Sequence, residues 1–309
     1  MRSSPILARS SPAIADDGVA AGLPEGAPRP AALRPSSLVT TLGRVRQSPT
    51  ALIGLTVLGV WVVCAIGWPM IAPYDPNQFH IDSRLQAPSA RFLFGTDQFG
   101  RDVFSRVLAG SRDILVVAPA ATLVGVLGGV GLGLIAGFYR GWLGEVLLRV
   151  MDAVMAFPIV TLTLLIVATL GPSLVNVVLV IGVVFAPRVA RVVYGSVLSV
   201  RELNFVAAAR LRGESDAYIV LGEILPTITA PIVVEATVRV GYAIFASATL
   251  SFLGLGVPPP AADWGLQIAD ARSFIQSAPW TVMFPALAIA SLVIAINLVS
   301  DGLQRGARG

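Results

Sequence analysis

Lysine does not occur anywhere in this chain of 309 residues; all 22 basic residues are arginine. That excludes a phosphate-loop lysine for nucleotides, a Schiff base and a Ser-Lys dyad. The single cysteine, Cys64, lies within an apolar run, so neither an intrachain disulfide nor a cysteine-based metal cluster can form. The single histidine, His80, stands in a polar stretch without a nucleophile-elbow motif, which argues against a Ser-His-Asp arrangement, and it reads as a surface residue rather than a metal ligand. Charge is scarce, at 13% of residues, about half of what soluble domains carry. The arginines are spread out rather than clustered among aromatics, which argues against nucleic-acid binding. If the chain does energised work, another subunit must hydrolyse the nucleotide.

What is present is apolar sequence: 55% of residues are hydrophobic and mean hydropathy is +0.78. These values predict an all-α membrane protein. Residues 1–49, rich in Ala, Pro, Ser and Arg, are expected to be a disordered tail. They lack the apolar core of a signal peptide, so the first apolar run is expected to remain as an anchor. Six spans are predicted, at about 51–72, 114–139, 153–170, 174–195, 232–256 and 281–300. Trp68 near the end of the first fits an interfacial anchor. In the second, Gly125, Gly129, Gly133 and Gly137 recur every fourth residue and predict a flat stripe for close helix packing. The uncharged stretch 153–187 is too long for one span and is broken at Gly171-Pro172-Ser173. The fourth helix runs past Pro187, with Arg188 and Arg191 reaching the interface by their long stems. Glu235 and Arg239, one turn apart at the start of the fifth span, are expected to neutralise each other.

Two polar stretches stand between these runs. Residues 202–231 read as two short helices around a break. Leu203–Arg212 is alanine-rich, Gly213 stops it, Ser215 or Asp216 caps a second helix, and Pro226 ends that helix. Such a capped pair between spans is a rigid knob suited to meeting a partner. Residues 73–113 read as a polar loop with turns at Gly95 and Gly100, and with Asp102 and Arg106 spaced for an i,i+4 ion pair.

The same stretches carry a resemblance. Ala208-Ala209, Gly213 and Ile224-Leu225-Pro226 look like the EAA loop of ABC importer permeases, with Ala207 where a Glu is usual and Glu223 where His or Ile is usual. The run from Phe94 to Arg106, FGTDQFGRDVFSR, closely resembles the GTDxxGRDxxSR signature of oligopeptide and dipeptide permeases, and APYDP at 72–76 precedes it as in that family. Leu250–Pro258, LSFLGLGVP, and the following Asp263-Trp264-Gly265 match two further segments. Arg149 and Asp152 stand where the family has an arginine–aspartate pair, and Asn297 with Asp301-Gly302 closes the last span as in the family.

The resemblance covers roughly residues 50–305. It implies a C-type permease subunit of the peptide/nickel ABC importers, with the type I importer fold, in the cytoplasmic membrane of a bacterium or archaeon. A homologous B-type permease would complete the pore, two ATPase subunits would bring ATP and Mg, and an extracytoplasmic binding protein would deliver substrate; this chain itself would bind no cofactor. Ala207, Ala208, Ala209, Arg210, Gly213, Ser215, Asp216, Leu225 and Pro226 would form the ATPase-coupling site. Asp97, Arg101, Asp102, Arg106, Asp263 and Trp264 would serve binding-protein docking, and Asp152, Ser251 and Asn297 a pathway or gate. The substrate would be a dipeptide or oligopeptide, with nickel chelate, haem or glutathione as alternatives.

Arginine placement agrees independently. The tail, 140–152, 188–239 and the end from Asp301 hold 16 arginines; the other side, 73–113 and 257–280, holds six with seven aspartates. Arginine excess marks the cytoplasm, which puts both termini and the 202–231 knob inside. The rival class is an ion-coupled secondary transporter, disfavoured because no clear inverted repeat is visible.

Overall fold

Helices make up most of the computed structural model, which describes residues 48–139 and 141–308, and the long connection 72–102 separates the first two. The expected tail, 1–49, lies outside the described residues except for Ser48 and Pro49. Long helices are α1 (Pro49–Ile71), α2 (Val103–Phe138), α5 (Leu174–Val200), α9 (Thr229–Phe252) and α11 (Trp280–Arg308). Shorter ones are α3 (Trp142–Met155), α4 (Ile159–Leu170), α6 (Asn204–Leu211), α7 (Asp216–Tyr218), α8 (Leu225–Thr227) and α10 (Trp264–Ala271). Five helices are long and apolar enough to cross a membrane, and the bent pair α3–α4 brings the number to six if counted as one span. Among the described residues the only β pairing is an isolated Thr96–Asp102 bridge.

Three sequence expectations need correction. The second helix starts at Val103, so residues 103–113, expected as loop, are helical. Hydropathy marks where lipid begins, whereas the helix begins at a cap: the Asp102 carboxylate accepts the Ser105 N–H at 2.8 Å. At 36 residues α2 is about 54 Å long, well beyond a hydrocarbon core of about 30 Å. The third span is not one straight helix over 153–170. Residues 142–155 belong to α3, Ala156-Phe157-Pro158 break the chain, and α4 departs at 88°. Its 12 residues extend about 18 Å. Finally, Pro226 does not end the second knob helix. A π-helical stretch, Ile219–Ile224, precedes it, and the chain continues through α8 to Ile228. The wider turn carries the Leu225 N–H to Val220 O, and Pro226 follows at the start of a new turn, where a missing N–H costs little.

Packing centres on α2 against α5, and the glycine stripe makes it possible. A Cβ on Gly133 would lie 2.6 Å from both Ala190 O and Val193 Cβ, and one on Gly137 2.7 Å from Val197 Cβ. The helices therefore meet backbone to side chain, as the four-residue repeat predicts. One apolar core joins α2, α5, α9, α10 and α11. At the opposite end from loop 72–102 a second core joins α2 and α5 to the 202–231 segment. α1 packs on α11, where Gly54 faces Ala295 O, and many of its apolar side chains are exposed.

Candidate coupling site

The 202–231 knob has a buried side and an exposed side. Val206, Ala209, Ile219, Ile224 and Ile228 are buried against Leu134 and Phe138 of α2 and Val193, Val197 and Val200 of α5. α6 closes in a Schellman arrangement: the Gly213 N–H donates to Arg210 O (3.0 Å) and the Glu214 N–H to Ala209 O (3.2 Å). Gly213 sits at φ +77°. No atom crowds its α-carbon, so the demand for glycine there is torsional. The Ser215 side chain accepts the Tyr218 N–H at 3.3 Å and caps α7; Asp216 is the first residue of that helix.

Arginines fasten the knob. Arg201 donates from Nη1 to Gly137 O at the end of α2, and the Arg210 guanidinium lies 5.5 Å from the Phe138 ring centre. Arg212 meets Glu214 and, across the turn, Glu223, each at 3.5 Å. Glu223, a departure from the family pattern, thus has an internal partner. Elsewhere on the knob Leu211 is 89% exposed, and Tyr218, Leu221, Ala207 and Ala208 are exposed as well. Of the expected coupling residues, Arg210, Gly213, Ser215, Asp216 and Pro226 are also exposed; Leu225 is half-buried, and Ala209 is turned inward. Sequence reasoning missed Leu211, Tyr218 and Leu221. An apolar side chain between Arg210 and Arg212 was the available signal.

At the other end, the GTD signature builds a frame. Asp97 accepts the N–H groups of Phe99 and Arg101, both at 2.9 Å, and pairs with Arg101 Nε at 2.6 Å. Arg101 reaches on to Asp270 at 3.5 Å. Arg106 donates to Pro76 O and Asn77 Oδ1 (3.1 Å each) and to Ala261 O (3.2 Å), joining three segments distant in sequence. Trp264 donates from Nε1 to Val107 O at 2.9 Å, and Gln267 from Nε2 to Arg106 O at 3.2 Å. The expected Asp102–Arg106 pair does not form, because the cap engages Asp102 and the carbonyls engage Arg106. Asp97, Arg101, Asp102, Arg106, Asp263 and Trp264 are all buried, so the side chains assigned to docking form the frame's interior.

Comparison with known proteins identifies the family. Residues 129–306 match the family described as binding-protein-dependent transport system inner membrane component. Residues 38–88 match the N-terminal TM domain of oligopeptide transport permease C. The chain belongs to this transport permease family. It is 41% identical to the dipeptide transport system permease protein DppC of Alkalihalophilus pseudofirmus, over 84% of this chain and 86% of that one. Identity is 38% to the di/tripeptide transport system permease protein DppC of Pseudomonas aeruginosa (89% and 93% covered). It is 39% to the glutathione transport system permease protein GsiD of Pectobacterium atrosepticum (84% and 86% covered). The chain is therefore a multi-pass inner-membrane permease subunit of an ABC importer, the subunit type without an ATPase domain.

The residues suggested for a pathway or gate are not brought together in this permease. Asp152 pairs with Arg191 of α5, not with Arg149, because α3 lies across α5. Ser251 is buried at the end of α9 against Gly265 and Gly256. Asn297 is exposed on α11 opposite Gly241. Glu235 and Arg239 do pair, at 2.5 Å, with Tyr242 stacked beside the guanidinium. Among the described residues no group of three or more His, Cys, Asp or Glu is placed to hold a metal.

Proposed function

We propose that this permease subunit imports dipeptides and oligopeptides, driven by ATPase subunits that grip the 202–231 knob from the cytosol. Both termini then lie in the cytosol, a homologous permease completes the pore, and an extracytoplasmic binding protein meets the exposed surface of the frame that the GTD signature holds rigid. The carrying observation is the knob's build: exposed apolar side chains, Leu211 foremost at 89%, on a body keyed into α2 and α5. When ATP binding draws the ATPases together, a partner on those side chains pulls the knob. The glycine contacts between α2 and α5 leave no slack, so both helices turn as one body and the pore alternates its opening.

Peptide substrate is supported by the relatives named for dipeptides and di/tripeptides; the glutathione permease at similar identity supports a second reading, import of that peptide-like thiol. The test is twofold. Leu211→Cys in the assembled importer should cross-link to a cysteine in the ATPase groove. Labelled dipeptide uptake in proteoliposomes should require ATP and persist when proton and sodium gradients are collapsed. Uptake that follows an ion gradient and ignores ATP depletion would sink the importer reading, and glutathione outcompeting dipeptide would favour the second substrate.

A further inference from the structure

One spacious groove among the described residues belongs to neither the knob nor the frame. It measures about 740 Å³ and opens between α1 and α2. Val62 and Ile66 of α1 and Leu115 and Val116 of α2 form its walls, with Val240 and Ile296 at its floor. Sites of ~300–1,000 Å³ enclose a drug-sized molecule, so this groove has room for an acyl chain. Two residues mark its rim. Trp68, on the last turn of α1, is an aromatic of the kind that settles at the headgroup level. Arg112 precedes the apolar run that starts at Ile114, at the same height on α2. Arg112 is exposed and forms no hydrogen bond or ion pair with any described residue. Its neighbour Asp113 is half-buried, within electrostatic reach of Arg106 and Asp263 in the frame as well as of Arg112.

An apolar trough at hydrocarbon depth with one unpartnered guanidinium at the headgroup level is complementary to a phospholipid. We propose that this groove seats one phospholipid of the leaflet at the 72–102 end, its acyl chain between α1 and α2 and its phosphate on Arg112. The fork of a guanidinium suits a phosphate bidentately, and an amphiphile is the occupant that satisfies both the cation and the apolar walls. The lipid would fill the gap beside α1, which is held to the bundle mainly through α11 and Trp61, whose Nε1 donates to Ser291 Oγ at 3.0 Å.

The test uses the full chain assembled with its transport partners, stripped in detergent and titrated with phosphatidylglycerol while native mass spectrometry counts bound lipid. One tightly held lipid per copy is expected. Arg112→Gln should weaken its retention about tenfold, the loss of one charge-assisted contact. Val116→Trp, which fills the groove, should abolish it, and Leu127→Trp, elsewhere on the exposed side of α2, should leave it unchanged. Equal retention by Arg112→Gln and Val116→Trp would overturn the proposal. So would a disulfide between Val62→Cys and a cysteine in the companion permease, because a protein helix would then occupy the groove.

Discussion

Arg212 reaches Glu223 across the Gly213 turn at 3.5 Å, tying the end of α6 to the π-helical stretch. Both side chains are partly exposed, so the pair is worth at most about 1 kcal/mol. Glu223→Gln should therefore leave thermal unfolding nearly unchanged and slightly loosen the knob. Exchanging the partners, Arg212→Glu with Glu223→Arg, should restore wild-type protection from proteolysis at the turn. A destabilisation of several kcal/mol by Glu223→Gln would mean that the carboxylate does more than staple.

Gly213→Val places a β-branched residue at φ +77°, a strain of order 1–3 kcal/mol. The knob's buried side should still dock on α2 and α5, so the subunit is expected to insert and assemble. ATP hydrolysis should persist while uptake falls severalfold, as measured together in proteoliposomes. Normal uptake by this variant would count against the knob as the coupling element.

Glycines of the α2 stripe should not be interchangeable with others on the same helix. Gly133→Leu must displace Ala190 O and Val193, and overpacking of this kind costs about 1–3 kcal/mol or more. A Cβ on Gly131 meets nothing within 4 Å, so Gly131→Leu should be tolerated. The amount of folded protein recovered from membranes discriminates the two.

Arg106→Met would leave Pro76 O and Ala261 O without their donor in a buried site, at a cost of about 3 kcal/mol. Proteolysis of loop 73–102 should accelerate. Arg106→Lys, with one ammonium for acceptors on separate segments, should rescue only in part. Unchanged proteolysis of Arg106→Met would show that the frame does not depend on this side chain.

Burial pushes the Asp263 carboxyl up to about 6, against the opposing hydrogen bond of the Leu266 N–H. An acid whose folded value exceeds its unfolded one near 3.9 holds an extra proton in the folded state between the two. The contribution of Asp263 to stability is thus greatest below pH 4, declines as pH rises toward about 6, and stays lower above it, by about 3 kcal/mol in all. Asp263→Asn keeps a cap for α10 and should flatten that part of the pH profile of thermal unfolding. An identical slope in the variant would assign the effect to other groups.

Composition and pattern alone determined that this is a helical membrane protein, because a chain with so little charge and such long apolar runs has no other way to satisfy its backbone. The glycine repeat, the Gly213 stop and a cap at Ser215 or Asp216 were legible for the same reason: each is a local requirement of torsion or contact written in adjacent residues. Partnership was not legible. Asp102 could as well have paired with Arg106 as capped α2, and Asp152 could as well have met Arg149 as Arg191; only the approach of distant segments selects between them. Tertiary structure likewise decided that the charged signature residues lie inside the frame while Leu211 faces out, since burial depends on which surfaces the neighbouring helices cover.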